Sequence, residues 1–367
     1  MKSFYLHHKT FCRIAVIALF LVILSSGIVY SYRLRRELLQ TRADYKQIYE
    51  GLRDDISVLE EELIAQGSYV TDRMTGDYAF VVDPSIVQLN SVALTAVDMN
   101  SPVTILAGGH LYGNPYNEGT PLISSTIQNN IDIINSSQAD LFFSLGDMTY
   151  LPSMESVQGL RDIFLDRVTV PLFNAVGNHD LKNGRTFYQS NFEQTYYSFE
   201  YGSLQIIVLD TVISHCYIEG HQLDMLNSVL EDALQNNHIR NIFIFVHKLI
   251  FLEDEDLQGR ANGLCEYGSN FSQLRDDILI PSSLEKPIYI FAGDVGAFGG
   301  NLSPFYHQYP DSNLSTIAVG IGDGADDALL KIMVEGDEVK FELIPLAGGH
   351  FDELTVYTPA YWLLQPH

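Results

Sequence analysis

The sequence predicts an α/β domain with largely parallel or mixed sheets, set behind a membrane anchor and a helical stalk. Three observations carry that prediction. From Val103 onward short apolar runs recur, each closing on a glycine or a polar residue. Amphipathic stretches lie between several of them, at 122–135, 155–168 and 222–236. Ahead of both stands a run of eighteen uncharged residues, Ile14 to Ser31, followed by apolar residues in alternating steps of four and three. Apolar runs of four to six residues bounded by turn signals read as buried strands, and strands alternating with amphipathic helices read as α/β.

Composition sets the outer limits. The 367 residues are 46% hydrophobic and 11% aromatic, enough to bury a core and to exclude wholesale disorder. Lys plus Arg number 21 against 46 Asp plus Glu, a formal charge of -25, which excludes nucleic-acid binding through a general basic surface. Three cysteines exclude a small disulfide-framed module. Residues 1–66 hold nine Lys/Arg and eight Asp/Glu, so the whole acidic surplus belongs to the remainder.

In chain order, residues 1–13 form an N-terminal tail and 14–32 the anchor. Its uncharged run is at the short end of what spans a bilayer. A cleavable signal peptide is the rival, with Ser25-Ser26-Gly27 available to a peptidase. The anchor is preferred because apolar residues continue to Tyr30 and Arg33, Arg35, Arg36 and Arg42 close the run. Lys2, Lys9 and Arg13 nearly balance those arginines, so charge does not set the orientation. A large domain following an N-terminal anchor is expected on the extracytoplasmic side of a single-pass protein.

Residues 33–66 read as a stalk. Tyr45, Tyr49, Leu52, Ile56, Leu59 and Leu63 mark an a/d seam, compatible with a lone amphipathic helix or with a homo-oligomeric coiled coil. Gly67 suits its C-terminal cap. Residues 67–100 read as a linker packed on the main domain, 101–350 as that domain, and 351–367 as a C-terminal tail.

The ends of the domain's strands carry the chemistry. They present His110, Asp147, Asn178 with His179, Asp210, His247 and Asp294. In α/β sheets ligands bind beyond the carboxyl ends of strands. Imidazoles, carboxylates and an amide there are the donors of a hydrolytic metal centre. Read singly, each is a polar terminator of an apolar strand; six in succession are harder to dismiss.

Gly146-Asp147, Gly177-Asn178-His179-Asp180 and His247, each following a strand, resemble the calcineurin-like metallophosphoesterases. Tyr196-Tyr197-Ser198-Phe199 before Leu209-Asp210-Thr211, and a helix opening at His221, are similar to the same family. The likeness covers roughly 101–325. It implies a two-sheet metallophosphoesterase-type α/β sandwich holding one or two divalent ions (Mn, Mg, Ca, Fe or Zn) that activate water against a phosphate ester. Asp147 would bridge the ions, with Asn178 and His247 ligating the second. His179 would support the transition state or protonate the leaving oxygen, and Asp180 would orient it.

Two motifs depart from that pattern. Gly108-Gly109-His110 stands where the family has Asp-x-His, and Gly293-Asp294-Val295-Gly296 where it has Gly-His-x-His. Asp294 would substitute an oxygen ligand at the second ion. The first ion would keep His110 and Asp147, with Tyr150 a possible addition by similarity to purple acid phosphatases. His215, Asp323 or Asp326 would be the loop residues able to rebuild that site. Cys216 and Cys265 could pair if the domain lies outside the cytoplasm.

The expectation is a membrane-anchored hydrolase of phosphate mono- or diesters. The alternative is a catalytically silent metal- or ligand-binding surface protein on the same fold. A third reading is a coiled-coil assembly factor whose globular domain only recognises a partner.

Overall fold

The computed structural model describes residues 81–116 and 122–365. The expected anchor, the stalk and the linker up to residue 80 lie outside the described residues. Among those described, no helix is long and apolar enough to cross a membrane.

Eleven strands among the described residues form two sheets. The first is built from β1 (Val103–Gly108), β2 (Leu141–Ser144), β3 (Leu172–Asn174), β10 (Ala328–Glu335) and β11 (Glu338–Pro345), in the order β11-β10-β1-β2-β3. The second holds β4 (Tyr197–Tyr201), β5 (Leu204–Val208), β6 (Asn241–Phe245), β7 (Ile288–Ala292), β8 (Phe305–Gln308) and β9 (Leu314–Ala318), in the order β4-β5-β6-β7-β9-β8. β1, β2 and β3 run parallel, as do β5, β6, β7 and β9. Antiparallel strands border each parallel set: β10 and β11 on one sheet, β4 and β8 on the other. The architecture is therefore mixed α/β, as the alternating pattern predicted, and a hairpin turning at Gly336-Asp337 joins β10 to β11.

The sheets face one another across an aromatic layer in which Ile105 and Phe143 of the first meet Phe199, Phe245 and Phe291 of the second. Phe143 stacks on Phe245 across the gap. Strands buried on both faces need apolar residues at nearly every position, which is why these runs do not alternate. Helices cover the outer faces. The helix Gly220–Gln235 buries Met225, Leu226, Val229, Leu230 and Ala233, positions that recur on one face at the 3.6-residue period. On the other side Met154–Leu160 starts at a reciprocal cap, Ser153 and Ser156 each accepting the other's backbone N–H.

Residues 351–365, expected as a tail, are instead part of the domain. Trp362 is buried and donates its indole N–H to the Pro304 carbonyl at 3.0 Å, while Arg260 donates to the carbonyl of Gln365 at 2.5 Å. A charged-poor, aromatic terminal segment gains more from burial than from solvation, and its six-residue helix is too short to show a period.

Cys216 and Cys265 are bonded, with Cα atoms 5.7 Å apart and a sequence separation of 49. The bridge ties the turn after β5 to the loop between β6 and β7. Closing a loop of that length is expected to contribute about 2–4 kcal/mol. Replacing both cysteines by serine should lower the urea midpoint accordingly, and an unchanged midpoint would show that the bridge carries no stability.

Candidate metal centre

Five of the predicted residues come together at the carboxyl ends of strands from both sheets. His110 follows β1, Asp147 follows β2 and Asn178 follows β3; His247 follows β6 and Asp294 follows β7. Glycine lets the two sheets meet here. A Cβ at Gly109 would lie 2.2 Å from the Cα of Gly293, and one at Gly293 only 2.3 Å from the carbonyl oxygen of Leu145. Gly109 also bonds across, donating to Val319 at 3.1 Å and accepting from Ile321 at 3.0 Å. The donors are thus set by backbone-to-backbone contact rather than by intervening side chains.

Two of the five sit in strained backbone. His110 has φ 54° and Asp147 φ 58°, the left-handed region that costs a residue with a Cβ about 1–3 kcal/mol. Backbone bonds lock these turns to each other: His110 N–H donates to Gly146 O at 2.9 Å and Tyr112 N–H to Asp147 O at 3.1 Å.

The arrangement turns side-chain nitrogens and oxygens toward one another. His247 donates from Nδ1 to the Leu145 carbonyl at 2.8 Å, which leaves Nε2 as the ring nitrogen that faces the cluster. That nitrogen faces Asn178 Oδ1 at 3.2 Å, Asp147 Oδ2 at 3.5 Å and Asp294 Oδ1 at 3.8 Å. His110 likewise spends Nδ1 on the Ile321 carbonyl at 3.3 Å and turns Nε2 toward Asp147 Oδ2 at 3.9 Å. Burial holds the pKa of His110 below its ordinary value against the pull of Asp147 and Asp294, keeping the ring neutral. Asp147 Oδ2 is buried without a hydrogen-bond partner, although Oδ1 accepts the His179 N–H at 2.8 Å. A buried carboxylate oxygen with no hydrogen-bond partner, faced by two imidazole nitrogens, invites a cation, and imidazoles pinned by carbonyls in this way are typical metal ligands. Donor atoms of His110, Asp147 and Asp294 lie within 4.8 Å of one another, so these residues fit a metal ion.

His179 lies beside the cluster, half-buried. Its Nδ1 donates to the Tyr150 carbonyl at 3.0 Å, and its Nε2 faces the Tyr112 hydroxyl at 3.2 Å. Burial lowers the His179 pKa despite Asp147, while burial and Asp147 together raise that of Tyr112, so a phenol donates to a neutral imidazole.

Asp180 does something other than orient His179. Its carboxylate accepts the backbone N–H groups of Asp147 (2.9 Å), Met148 (2.9 Å), Thr149 (3.3 Å) and Gly177 (3.0 Å). It is the anchor of the Asp147 turn, and Tyr150 and Tyr112 are the partners of His179. Burial first, then the Asp147 charge, pushes the Asp180 carboxyl up to about 6. Tyr150 is 39% exposed, its ring 4.9 Å from that of His179 with the Lys182 ammonium 4.1 Å above it. It gives the site a wall and a backbone carbonyl.

The two departures from the expected motifs are built in. A Cβ at Gly108 would lie 2.5 Å from Leu329 Cδ2, and one at Gly296, at φ 83°, 2.6 Å from the carbonyl of Gly320. None of the three loop residues expected to restore what they omit joins the cluster found among the described residues: Asp323 accepts from Thr126 N–H at 3.2 Å, His215 packs edge-on to Tyr267, and Asp326 also lies outside it. Asp210 is also outside it, paired with Arg185 and accepting from Val212 N–H at 2.9 Å, so there the polar-terminator reading holds.

Sequence reasoning missed Lys248 and Tyr112. Lys248 Nζ reaches Asp294 Oδ2 at 2.5 Å. Its signal was position: a lysine directly after the ligand His247, in a region (67–367) with only twelve Lys/Arg.

Fold and site together define a two-sheet mixed α/β protein with a buried cluster able to hold a metal ion. No family model and no curated protein matches the chain. Among solved structures, the solution NMR structure of the Thermotoga maritima protein TM1076 is similar over 66% of this chain and 99% of its own, at 12% identity and a TM-score of 0.28. So slight a likeness carries no argument, and the functional reading rests on the site.

Proposed function

We propose that the chain is a metal-dependent phosphoesterase on a metallophosphoesterase-type sandwich, cleaving a phosphate mono- or diester. The observation that carries this reading is the convergence of acceptor atoms on Asp147 Oδ2 with a neutral His179 beside them. An ion held by His110, Asp147, Asn178, His247 and Asp294 would polarise the ester and lower the pKa of a nearby water. Three oxygens and two nitrogens favour Mn, Mg or Ca over Zn.

The chain's own groups supply the rest. His179, its Nδ1 fixed by the Tyr150 carbonyl, exchanges protons only at Nε2, where the Tyr112 hydroxyl donates; that hydroxyl would give way for the leaving oxygen, to which a proton taken up by the ring would pass. The left-handed turn at Asp147 aims its second oxygen into the cluster, and Asp180 keeps that turn. The Cys216–Cys265 bridge supports placement in an oxidising compartment, with the domain held off the outer membrane face by the segment 14–32 and the stalk.

The test is turnover of p-nitrophenyl phosphate and bis-p-nitrophenyl phosphate with Mn, Mg, Ca, Zn and Fe in turn. His179→Ala should lower kcat about 10²–10⁴-fold without loss of thermal stability. A rate indifferent to His179→Ala would place the chemistry elsewhere. The catalytically silent metal-binding reading is favoured by one observation, the engagement of Asp294 by Lys248; tight binding of an ion with no turnover under any metal would select it.

A further inference from the structure

We infer that Lys248 is a built-in cation: its ammonium stands beside Asp294 in place of a second divalent ion, so the centre takes one ion per chain. The inference rests on the metal-dependent reading above and fixes its stoichiometry.

Lys248 follows His247 directly at the end of β6, so a ligand and an ammonium leave adjacent backbone positions. The Lys248 backbone N–H is held by Thr211 Oγ1 at 3.0 Å, and its Nζ reaches Asp294 Oδ2 at 2.5 Å. The side chains of Lys248 and Asp294 are only 13% and 3% exposed. Asp294 is shared: one oxygen serves the ammonium, and the other lies 3.8 Å from His247 Nε2, among the donors around Asp147.

The pair is also enclosed. A Cβ on Gly263 would fall 2.4 Å from Lys248 Nζ and 2.7 Å from Asp294 Oδ2, so the loop backbone closes directly over them. Asn262 N–H donates to the Asp294 carbonyl at 3.0 Å, and two residues beyond Gly263 the disulfide at Cys265 secures the loop. An ammonium covered in this way is a fixture of the site rather than a surface cation that drifted onto a carboxylate.

Charge balance points the same way. Asp147 and Asp294 are both buried, and buried charges persist only when compensated. With the ammonium present, one divalent ion leaves the pair a single positive charge in excess, whereas two ions would leave three. The sequence agrees, since glycine at 108 and 296 offers no further side-chain donor, and at 296 the Gly320 backbone leaves no room for one.

The experiment counts ions. The full chain in detergent is dialysed against graded Mn2+, and the centre's occupancy is taken as the ions lost on Asp147→Asn, so that surface carboxylates are not counted. One ion per chain is expected for the wild type and for Lys248→Arg. Lys248→Met, which keeps the stem but not the charge, should take up a second ion or bind its single ion at least about tenfold more tightly. Two ions in the wild type overturn the inference and leave the phosphoesterase reading standing. No ion sensitive to Asp147→Asn overturns both. A folded Lys248→Met identical to wild type in number and affinity shows that the ammonium does not stand in for an ion; should that variant not fold, the wild-type count decides.

Discussion

Asp147→Asn is expected to abolish metal-dependent stabilisation and to lower phosphoesterase turnover on the order of 10³-fold or more. The substitution changes little else. Asparagine is among the residues that tolerate the left-handed conformation Asp147 adopts at φ 58°, and its amide oxygen can still accept the His179 N–H. What disappears is the buried, unpartnered Oδ2, the atom toward which His110 Nε2 and His247 Nε2 both point. Two consequences separate on a thermal melt. Wild-type chain at Mn2+ a hundredfold above Kd gains about 2.7 kcal/mol, and the variant gains none. Without metal the variant should be no more stable than wild type, because against the pull of burial His247, His110, His179 and Lys248 hold the Asp147 carboxyl below its ordinary value and so favour its charge. Equal Mn2+-induced shifts in the two proteins would remove Asp147 from the centre.

The second large effect is on folding. Asp180→Ala should destabilise the chain by about 3–5 kcal/mol at pH 8, measured by urea unfolding. Four backbone N–H groups, those of Asp147, Met148, Thr149 and Gly177, lose their acceptor at once in a position closed to water. The strained turn at Asp147 loses its restraint with them, so metal binding should weaken in parallel. His179→Ala, one residue away and half exposed, supplies the contrast: it removes a proton carrier and a single side-chain bond to backbone, at the Tyr150 carbonyl, against four for Asp180. An Asp180→Ala chain that unfolds like wild type while losing only kcat would restore the reading of Asp180 as a catalytic partner of His179.

The contrast shows how far sequence carries. The positions of the cluster were legible because a polar residue after an apolar run sits at the end of a strand, and parallel strands bring their ends to one edge. His110, Asp147, Asn178, His247 and Asp294 all followed from that rule. The two-sheet division agreed with expectation as well, and the structure joins the two cysteines whose pairing the sequence left open. The role of Asp180 was not legible, because adjacency to His179 suggested a partner while the fold turns its carboxylate back onto the Asp147 turn. Lys248 was missed for the opposite reason. Its meaning lies in Asp294, 46 residues away, and in the bare backbone of Gly263. Asp210 warns against applying the strand-end rule alone, since it meets Arg185 instead of the cluster. The terminal helix was too short for any period to announce that Trp362 would be buried.

The glycine contact between the sheets bears on how such a protein can vary over generations. Gly109 and Gly293 touch through backbone, so a replacement at either position must pry the sheets apart before a new side chain can fit. His110 and Asp147 belong to one sheet, His247 and Asp294 to the other. A mutation there would divide the ligand set along its middle. Inheritance is therefore free to exchange donors at strand ends, where a residue such as Asp294 changes charge without moving the backbone. At the contact itself the lineage has no small steps available, and drift at the centre is confined to which ion it holds and how it is balanced.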